Sequence, residues 1–577
     1  MAVIRASVLM VLVSLGSGCA LVHRLPFGSP WDGPAAPVPA EAVPYGHFMH
    51  AQAALADNDV DGAITAFEQA VASDPSSTLL RLRLAKLYLG RGRLQEALEQ
   101  CSAVTTAQPD DVEALGLMAG VLAALGREQE AIAAYERVLV LDPNSQEAYL
   151  YLGALYGKLG DTERATSVLR RLIARNPTSI LGYYYLGRVY AGAGKLDEAE
   201  RYYLEALKLN PQSDMILTDL GITYELQGNN DKAIELYERI LAANPENTMV
   251  RRRLGGIYIG QRRLDDALEQ FRAIEQAADD PDDARTKMGL IHFEKGDFDR
   301  AATEFNLVLA SQPDNARVRY YLASVYMERG DTEEALREFG KVKADSEFYV
   351  DARLRRAYLI QKTDLDAAIR DVEETHKEKP DSAEVASYLA TLYRQQGKYD
   401  RAIAVLEDLV KRFPDNDRHH FNLGAAYDED KNKERAIAEM QRAIALNPNN
   451  AAALNYLGYT YAEMGERLDE AEQLIRRALA IEPDDGFYID SLGWVYFQRG
   501  DFRAARQHLE RAVELAGDDP TVTEHLGDVY ERLGQYDEAL RVYRDALGRA
   551  KESDQIRRLR TKVSAIERAA QREPGTF

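Results

Sequence analysis

From Pro44 to Ser553 the chain repeats itself fifteen times, with a period of 34 residues. A fixed period of this length constrains the fold more than any local signal, because each copy must be one small supersecondary unit stacked on its neighbours. In residues 180–213 the unit reads as two amphipathic helical patterns joined by a turn. Leu186, Gly187 and Tyr190 share a face of the first helix. Gly194 ends that helix, since glycine enters the left-handed region without a Cβ penalty. Ala199, Tyr203 and Ala206 form the inner face of the second helix, and Pro211 stops it. The eighth position of every copy is Ala or Gly, from Ala51 through Gly187 and Gly221 to Gly527; the twentieth is always Ala, from Ala63 to Ala539. Small residues at both places let two antiparallel helices approach closely, with Tyr190 and Tyr203 filling the space beside them.

This pattern of small residues, aromatics and closing prolines resembles the tetratricopeptide repeat family, and the match covers nearly the whole chain after its first 43 residues. The resemblance implies an all-α fold: a superhelical solenoid of about fifteen helix-turn-helix repeats, with a concave groove that binds other proteins. Composition agrees, with 28% charged and 46% hydrophobic residues. Residues 44–349 hold repeats 1–9, 350–382 a divergent repeat 10, and 383–553 repeats 11–15. Repeat 10 is one residue short, carries Arg353, Arg355 and Arg356, and follows a repeat with Glu347 where proline belongs. That makes residues 340–382 a candidate hinge. Residues 554–577 read as a capping helix and a fraying tail: Ile556, Leu559, Val563 and Ile566 line one face, and the other is basic.

The first 43 residues follow different rules. Residues 1–18 have a short positive start at Arg5 and an apolar run from Ala6 to Leu15, too short to anchor as a spanning helix. Gly16, Ser17 and Gly18 then precede Cys19, which resembles the lipobox of bacterial lipoproteins, although Gly16 stands where Leu is usual. The resemblance implies cleavage before Cys19 and acylation of it, and Ala20 after it favours the outer membrane. Residues 19–43 then form a tether rich in proline (Pro26, Pro30, Pro34, Pro37, Pro39). Cys101, the other cysteine, reads as a small buried hydrophobe.

Net charge is −22, and the array between the tether and the capping helix carries −25. Nothing in it offers the basic footprint of a nucleic-acid binder. No phosphate-cradling glycine loop, nucleophile elbow or H-E-x-x-H motif occurs, so no catalysis is expected. His47 with His50, and His419 with His420, lack the carboxylate or cysteine companions of a metal site. No cofactor or metal is expected.

Motif positions 2, 5, 9, 12 and 13 of each first helix form a stripe away from its packed face. In the family this stripe lines the groove. Here it holds Tyr184 and Arg188, then Phe293, Tyr320, Asn455 and Tyr459, and finally Phe487, Asp490, Trp494 and Phe497. These are the candidate protein-binding residues. The expectation is an aromatic floor with Asn455 and Asp490 meeting an extended peptide's backbone or a basic residue. The chaperone-type clamp on a peptide C-terminus is excluded: Arg252 is followed by Gly256, and Asn455 by Tyr459, where that family needs Lys and Asn. Residues 454–461, 468–471 and 490–495 resemble those of long proteobacterial tetratricopeptide lipoproteins. Some of these are periplasm-facing adaptors that recruit a processing protease or cell-wall enzymes. Assembly of pili or polysaccharide secretion systems is the alternative the resemblance leaves open.

Overall fold

The computed structural model describes residues 43–572. Cys19, the expected signal peptide and nearly all of the tether lie outside the described residues, as does the tail after Arg572. Among the described residues there are thirty-one helices and no strands: fifteen helical hairpins and a final helix, Ser553–Arg572. None is long and apolar enough to cross a membrane. The chain divides into two compact units at Pro245/Glu246. Repeats 1–6 form the first; repeats 7–15 and the final helix form the second. The irregular segment 340–382 therefore lies inside the second unit.

Repeat 5 shows why each hairpin forms. Its helices are Ile180–Gly192 and Leu196–Leu209. Ser179 Oγ accepts the Gly182 N–H at 3.2 Å, capping the first helix. Such a cap contributes about 1 kcal/mol. Ser77, Ser145, Ser382 and Asn450 do the same in their repeats. Gly194 takes a φ of +72° to turn the chain. Arg262 and Lys431 hold the matching place in repeats 7 and 12 at φ 58° and 66°, at a cost of roughly 1–2 kcal/mol that glycine avoids.

The eighth position is small because an aromatic or aliphatic side chain already fills its space. A Cβ on Gly187 would lie 2.7 Å from the Tyr203 ring, and one on Gly221 2.5 Å from Tyr237. Ala199 and Ala233 are fully buried opposite. Two further devices join successive repeats. The Tyr at position 11 donates its hydroxyl to a glutamate 20 residues earlier, as in Tyr88–Glu68 at 2.6 Å, Tyr156–Glu136 at 2.7 Å and Tyr530–Glu510 at 2.9 Å. The basic residue at position 4 grips the preceding proline's carbonyl: Arg81 donates to Pro75 at 2.9 Å and to Gln100 at 2.7 Å. His420 occupies this position too, between Glu439 at 2.6 Å and the Pro414 carbonyl at 3.0 Å. The histidine is thus a bracket between segments.

Repeat 9 has a second helix of nine residues, Thr332–Gly340, where its neighbours have fourteen. The chain then turns through buried Val342 and sets Phe348 against Tyr320, 5.3 Å between centroids. In repeat 10, Arg353 is 8% exposed, donates to Thr375 and Glu374 and pairs with Asp371, while Arg356 meets Asp371 at 2.6 Å. Burial raises the Asp371 pKa against the pull of both guanidinium groups. Arg355 instead lies over the Tyr320 ring. Cys101 is fully buried, and burial pushes its thiol up to about 12. The final helix buries Leu559 and Ile566 against Leu526, Val529 and Tyr543 of repeat 15.

Candidate functional site

Three neighbouring first helices carry the site: Ala451–Met464, Gly486–Gln498 and Pro520–Arg532. Their alignment pairs position 5 of one repeat with position 6 of the next. Asp490 therefore faces His525, whose Nδ1 donates to the carboxylate at 3.0 Å from both oxygens. Both residues are buried, at 5% and 7% exposure. Burial acts to deprotonate His525; the Asp490 carboxylate outweighs it, with Asp528 and Glu524 adding to the effect, and raises the pKa. The imidazole ring stacks on the Trp494 indole, 4.1 Å between centroids and 21° from parallel. Trp494 in turn stacks on Phe497 at 4.6 Å, and Tyr459 stands 6.3 Å from His525. Burial, and after it the Asp490 charge, raises the Tyr459 pKa.

Two polar atoms in this cluster are buried and lack a hydrogen-bond partner: Asn455 Oδ1, an acceptor, and Trp494 Nε1, a donor. They belong to successive repeats: Trp494 shares motif position 9 with Tyr459, and Asn455 stands one turn before that level. Leaving such atoms unpaired costs about 1–3 kcal/mol each. Among the described residues no Ser, Thr or Cys side chain hydrogen-bonds His525.

Below this cluster the final helix takes over the stripe. Glu524, 3% exposed, accepts from Arg558 Nε at 3.0 Å and Nη2 at 3.1 Å, and from Lys562 at 2.8 Å. Burial opposes its ionisation; Arg558 and Lys562 outweigh that and hold its carboxyl below the ordinary range. Lys562 also meets Asp528 at 2.5 Å. Thr521, Glu524 and Asp528 stand 34 residues before Gln555, Arg558 and Lys562, so the final helix occupies the place of a sixteenth first helix.

The structure corrects two expectations. Asp490 is not open to a peptide backbone or a basic residue, because His525 consumes both of its oxygens. Tyr184 is not open either: it is 4% exposed and donates to Asp219 at 2.8 Å. Arg188 stays exposed beside it, 3.8 Å from Asp219. Phe293 and Tyr320 are half-buried and pack on Phe298 and on Phe339 and Phe348. Phe487 is 52% exposed, and Asn455, Tyr459, Trp494 and Phe497 are half-buried. The sequence reading missed His525, Glu524, Arg558 and Lys562. The signal for the first was its separation of 35 residues from Asp490, the same as between Tyr184 and Asp219.

Tetratricopeptide repeat models match residues 54–121, 147–179, 178–246, 218–284, 286–347, 357–407, 388–451, 449–518 and 491–554, and a TPR repeat model matches 119–160. No curated protein matches the chain. Among solved structures, a tetratricopeptide repeat protein from Parabacteroides merdae is 19% identical, covering 43% of this chain and 98% of its own, with a TM-score of 0.36. The Cut9–Hcn1 hetero-tetramer of the APC/C gives 18% identity, 85% and 97% coverage and a TM-score of 0.35. PilW, a type IV pilus biogenesis factor, gives 24%, 35% and 94%, and 0.32. At these TM-scores the solved structures carry no argument of their own. The family models, running from residue 54 to residue 554, place the whole array in one class, and the chain belongs to the tetratricopeptide repeat family.

Proposed function

We propose that this protein is a non-catalytic adaptor that holds a partner protein on the first-helix face of repeats 13 and 14. Repeats of this family make a protein–protein interaction scaffold. The observation that selects this segment is the pair of buried, unpartnered atoms, Asn455 Oδ1 and Trp494 Nε1. In this reading the Asn455 and Trp494 side chains turn outward on binding, and an extended peptide offers a backbone N–H to the first and a carbonyl to the second. Tyr459, Trp494 and Phe487 provide the ring surface for its side chains, and aromatic anchors of this kind dominate many interfaces. In this reading the adaptor is anchored to the outer membrane and faces the periplasm, on the resemblance of the segment ending at Cys19 to a lipobox. The partner in this reading is a processing protease or a cell-wall enzyme, on the resemblance of residues 454–461 and 490–495 to periplasmic adaptors.

The test separates binding from folding. Trp494→Phe keeps a ring on His525 and removes the donor; Asn455→Leu removes the acceptor at similar volume. Removing an unpaired buried polar atom leaves the free protein equally or more stable. Both variants are expected to melt as the wild type does by circular dichroism. In a quantitative pull-down from solubilised envelopes, the partner retained by the wild type should fall about tenfold, as one lost buried hydrogen bond predicts at about 1.4 kcal/mol. Full retention of every wild-type partner by both variants would falsify the assignment.

A further inference from the structure

We propose that the junction of repeats 4 and 5 is a binding site for a carboxylate supplied from outside the chain. This site goes beyond the adaptor reading and shares no residue with it or with the first-helix stripe. It is a departure from the ladder of position-11 tyrosines, in which Tyr88, Tyr156 and Tyr530 each donate to a glutamate 20 residues earlier. At Tyr190 that place holds Arg170, and the polarity is reversed: Arg170 Nη2 donates to the Tyr190 hydroxyl at 2.7 Å. Tyr202 of the second helix, Leu196–Leu209, stacks on Tyr190, 5.4 Å between centroids and 2° from parallel. Arg201 donates to the Tyr202 hydroxyl at 2.8 Å, and that hydroxyl also reaches Arg170. Tyr190 is 5% exposed. Two guanidinium groups and two hydroxyl protons thus converge. Among the described residues no carboxylate pairs with either arginine or accepts from either hydroxyl.

The same constellation recurs between repeats 13 and 14 with an acid in place. Arg476 Nη2 donates to the Tyr496 hydroxyl at 2.8 Å, again across 20 residues. His508 stacks on Tyr496 as Tyr202 does on Tyr190, at 5.3 Å and 5° from parallel. There Arg476 Nε and the Tyr496 hydroxyl both donate to Glu472, each at 2.8 Å, and Arg499 joins them. Burial opposes the charge on Glu472; the bonds from Arg499, Arg476 and Tyr496 outweigh it and hold the carboxyl down to about 2. Such a set of donors is therefore a strong carboxylate receptor. Glu472 stands four residues before Arg476. Four residues before Arg170 stands Thr166, a buried side chain whose hydroxyl donates to the Glu163 carbonyl at 3.1 Å. Arg170 Nε, the counterpart of the atom that holds Glu472, makes no hydrogen bond among the described residues. The receptor is present between repeats 4 and 5 and its acid is not.

The chemistry of the site selects its ligand. One exposed guanidinium gains little from an anion in water. Here Arg201 adds a second, as Arg499 does at Glu472, although it enters from the second helix, where repeat 14 has Gln507. The helix Thr162–Arg175 carries Arg164, Arg170, Arg171 and Arg175 against Glu163 alone, so the surroundings are basic although the array is at −25. A cation is repelled by these charges, and a neutral group forfeits the charge-assisted bonds. Carboxylate is the anion that this arrangement of donors already holds, at Glu472. It comes free in solution or on an Asp or Glu side chain of a partner protein.

The probe is acetate against chloride at equal ionic strength, read on the full chain by phenylglyoxal modification of its arginines and peptide mass spectrometry. Acetate should slow modification of Arg170 and Arg201 several-fold and leave Arg83, exposed and without a carboxylate partner among the described residues, unchanged. No slowing at Arg170 beyond that at Arg83 overturns the proposal. Thr166→Glu supplies the acid from within, at the favourable four-residue spacing. It should protect Arg170 without acetate and melt higher than its neutral counterpart Thr166→Gln; equal melting of the two overturns the proposal. Glu472→Thr should make Arg476 reactive and its reactivity sensitive to acetate, and an Arg476 that acetate does not protect there counts against it equally. Hexaglutamate peptide replaces acetate in a second arm. Protection at a lower total carboxylate concentration than acetate needs assigns the site to a partner's acidic segment; protection at the same concentration assigns it to a free carboxylate. Stronger protection by inorganic phosphate than by either overturns the carboxylate assignment. Trp494→Phe should leave all these readouts as in the wild type, so failure of the adaptor assignment and failure of this one are told apart.

Discussion

At His525 three effects compete over one proton. Burial opposes the charge; Asp490 at 3.0 Å favours it, and Asp528 and Glu524 add to it. The faces around the ring are occupied by Trp494 and Tyr459, and the charge of Glu524 is shared with Arg558 and Lys562. The pKa ends above the ordinary histidine value. A group raised in the folded state stabilises it fully below its unfolded pKa, about 6.5, and loses that contribution as pH rises through the folded value. His525→Gln should therefore cost most stability at pH 6, and the gap to wild type should narrow steadily toward pH 9. Urea melts of both proteins across that range measure it. A gap independent of pH would mean the histidine is neutral throughout.

At the scale of the helix pair, the close crossing sets what each position tolerates. Gly221→Leu would drive a side chain into Tyr237, and Ala233→Leu would overfill the fully buried position opposite. Each should destabilise by about 1–3 kcal/mol. Lys232→Ala, beside the second, loses a half-exposed ion pair with Glu200 and a surface contact over the Tyr224 ring, and should change little beside the other two. Thermal melts that place all three together would contradict the packing. This level was legible in the sequence because positions 8 and 20 meet within a single copy. The accessibility of the first-helix stripe was not, since it is decided by the next copy. Tyr184 closes on Asp219 and Asp490 on His525, whereas Asn455 finds no such partner and Phe487 stays exposed. The aromatic ladder was half legible: Tyr88 or Tyr530 reads as packing, while the glutamate that takes its hydroxyl lies 20 residues back in the previous repeat.

For the whole molecule, Cys19 and the Pro-rich segment after it stand apart from the repeats in sequence. Under the lipoprotein reading, Cys19→Ser should move the protein from the membrane to the soluble fraction with its melting curve intact. Retention on membranes through a high-salt wash would sink that reading. The final helix has a consequence of another kind, for how such an array lengthens or shortens by duplication. Arg558 and Lys562 are matched to Glu524 and Asp528, acids at positions 5 and 9. Repeat 14 has Asp490 and Trp494 there, and repeat 13 has Asn455 and Tyr459. Loss of repeat 15 would remove His525 from Asp490 and leave Arg558 that acid, but would set Lys562, now paired with both Glu524 and Asp528, against the Trp494 indole. Copies can thus be gained or lost within the array, but the last repeat and its helix are inherited as one piece.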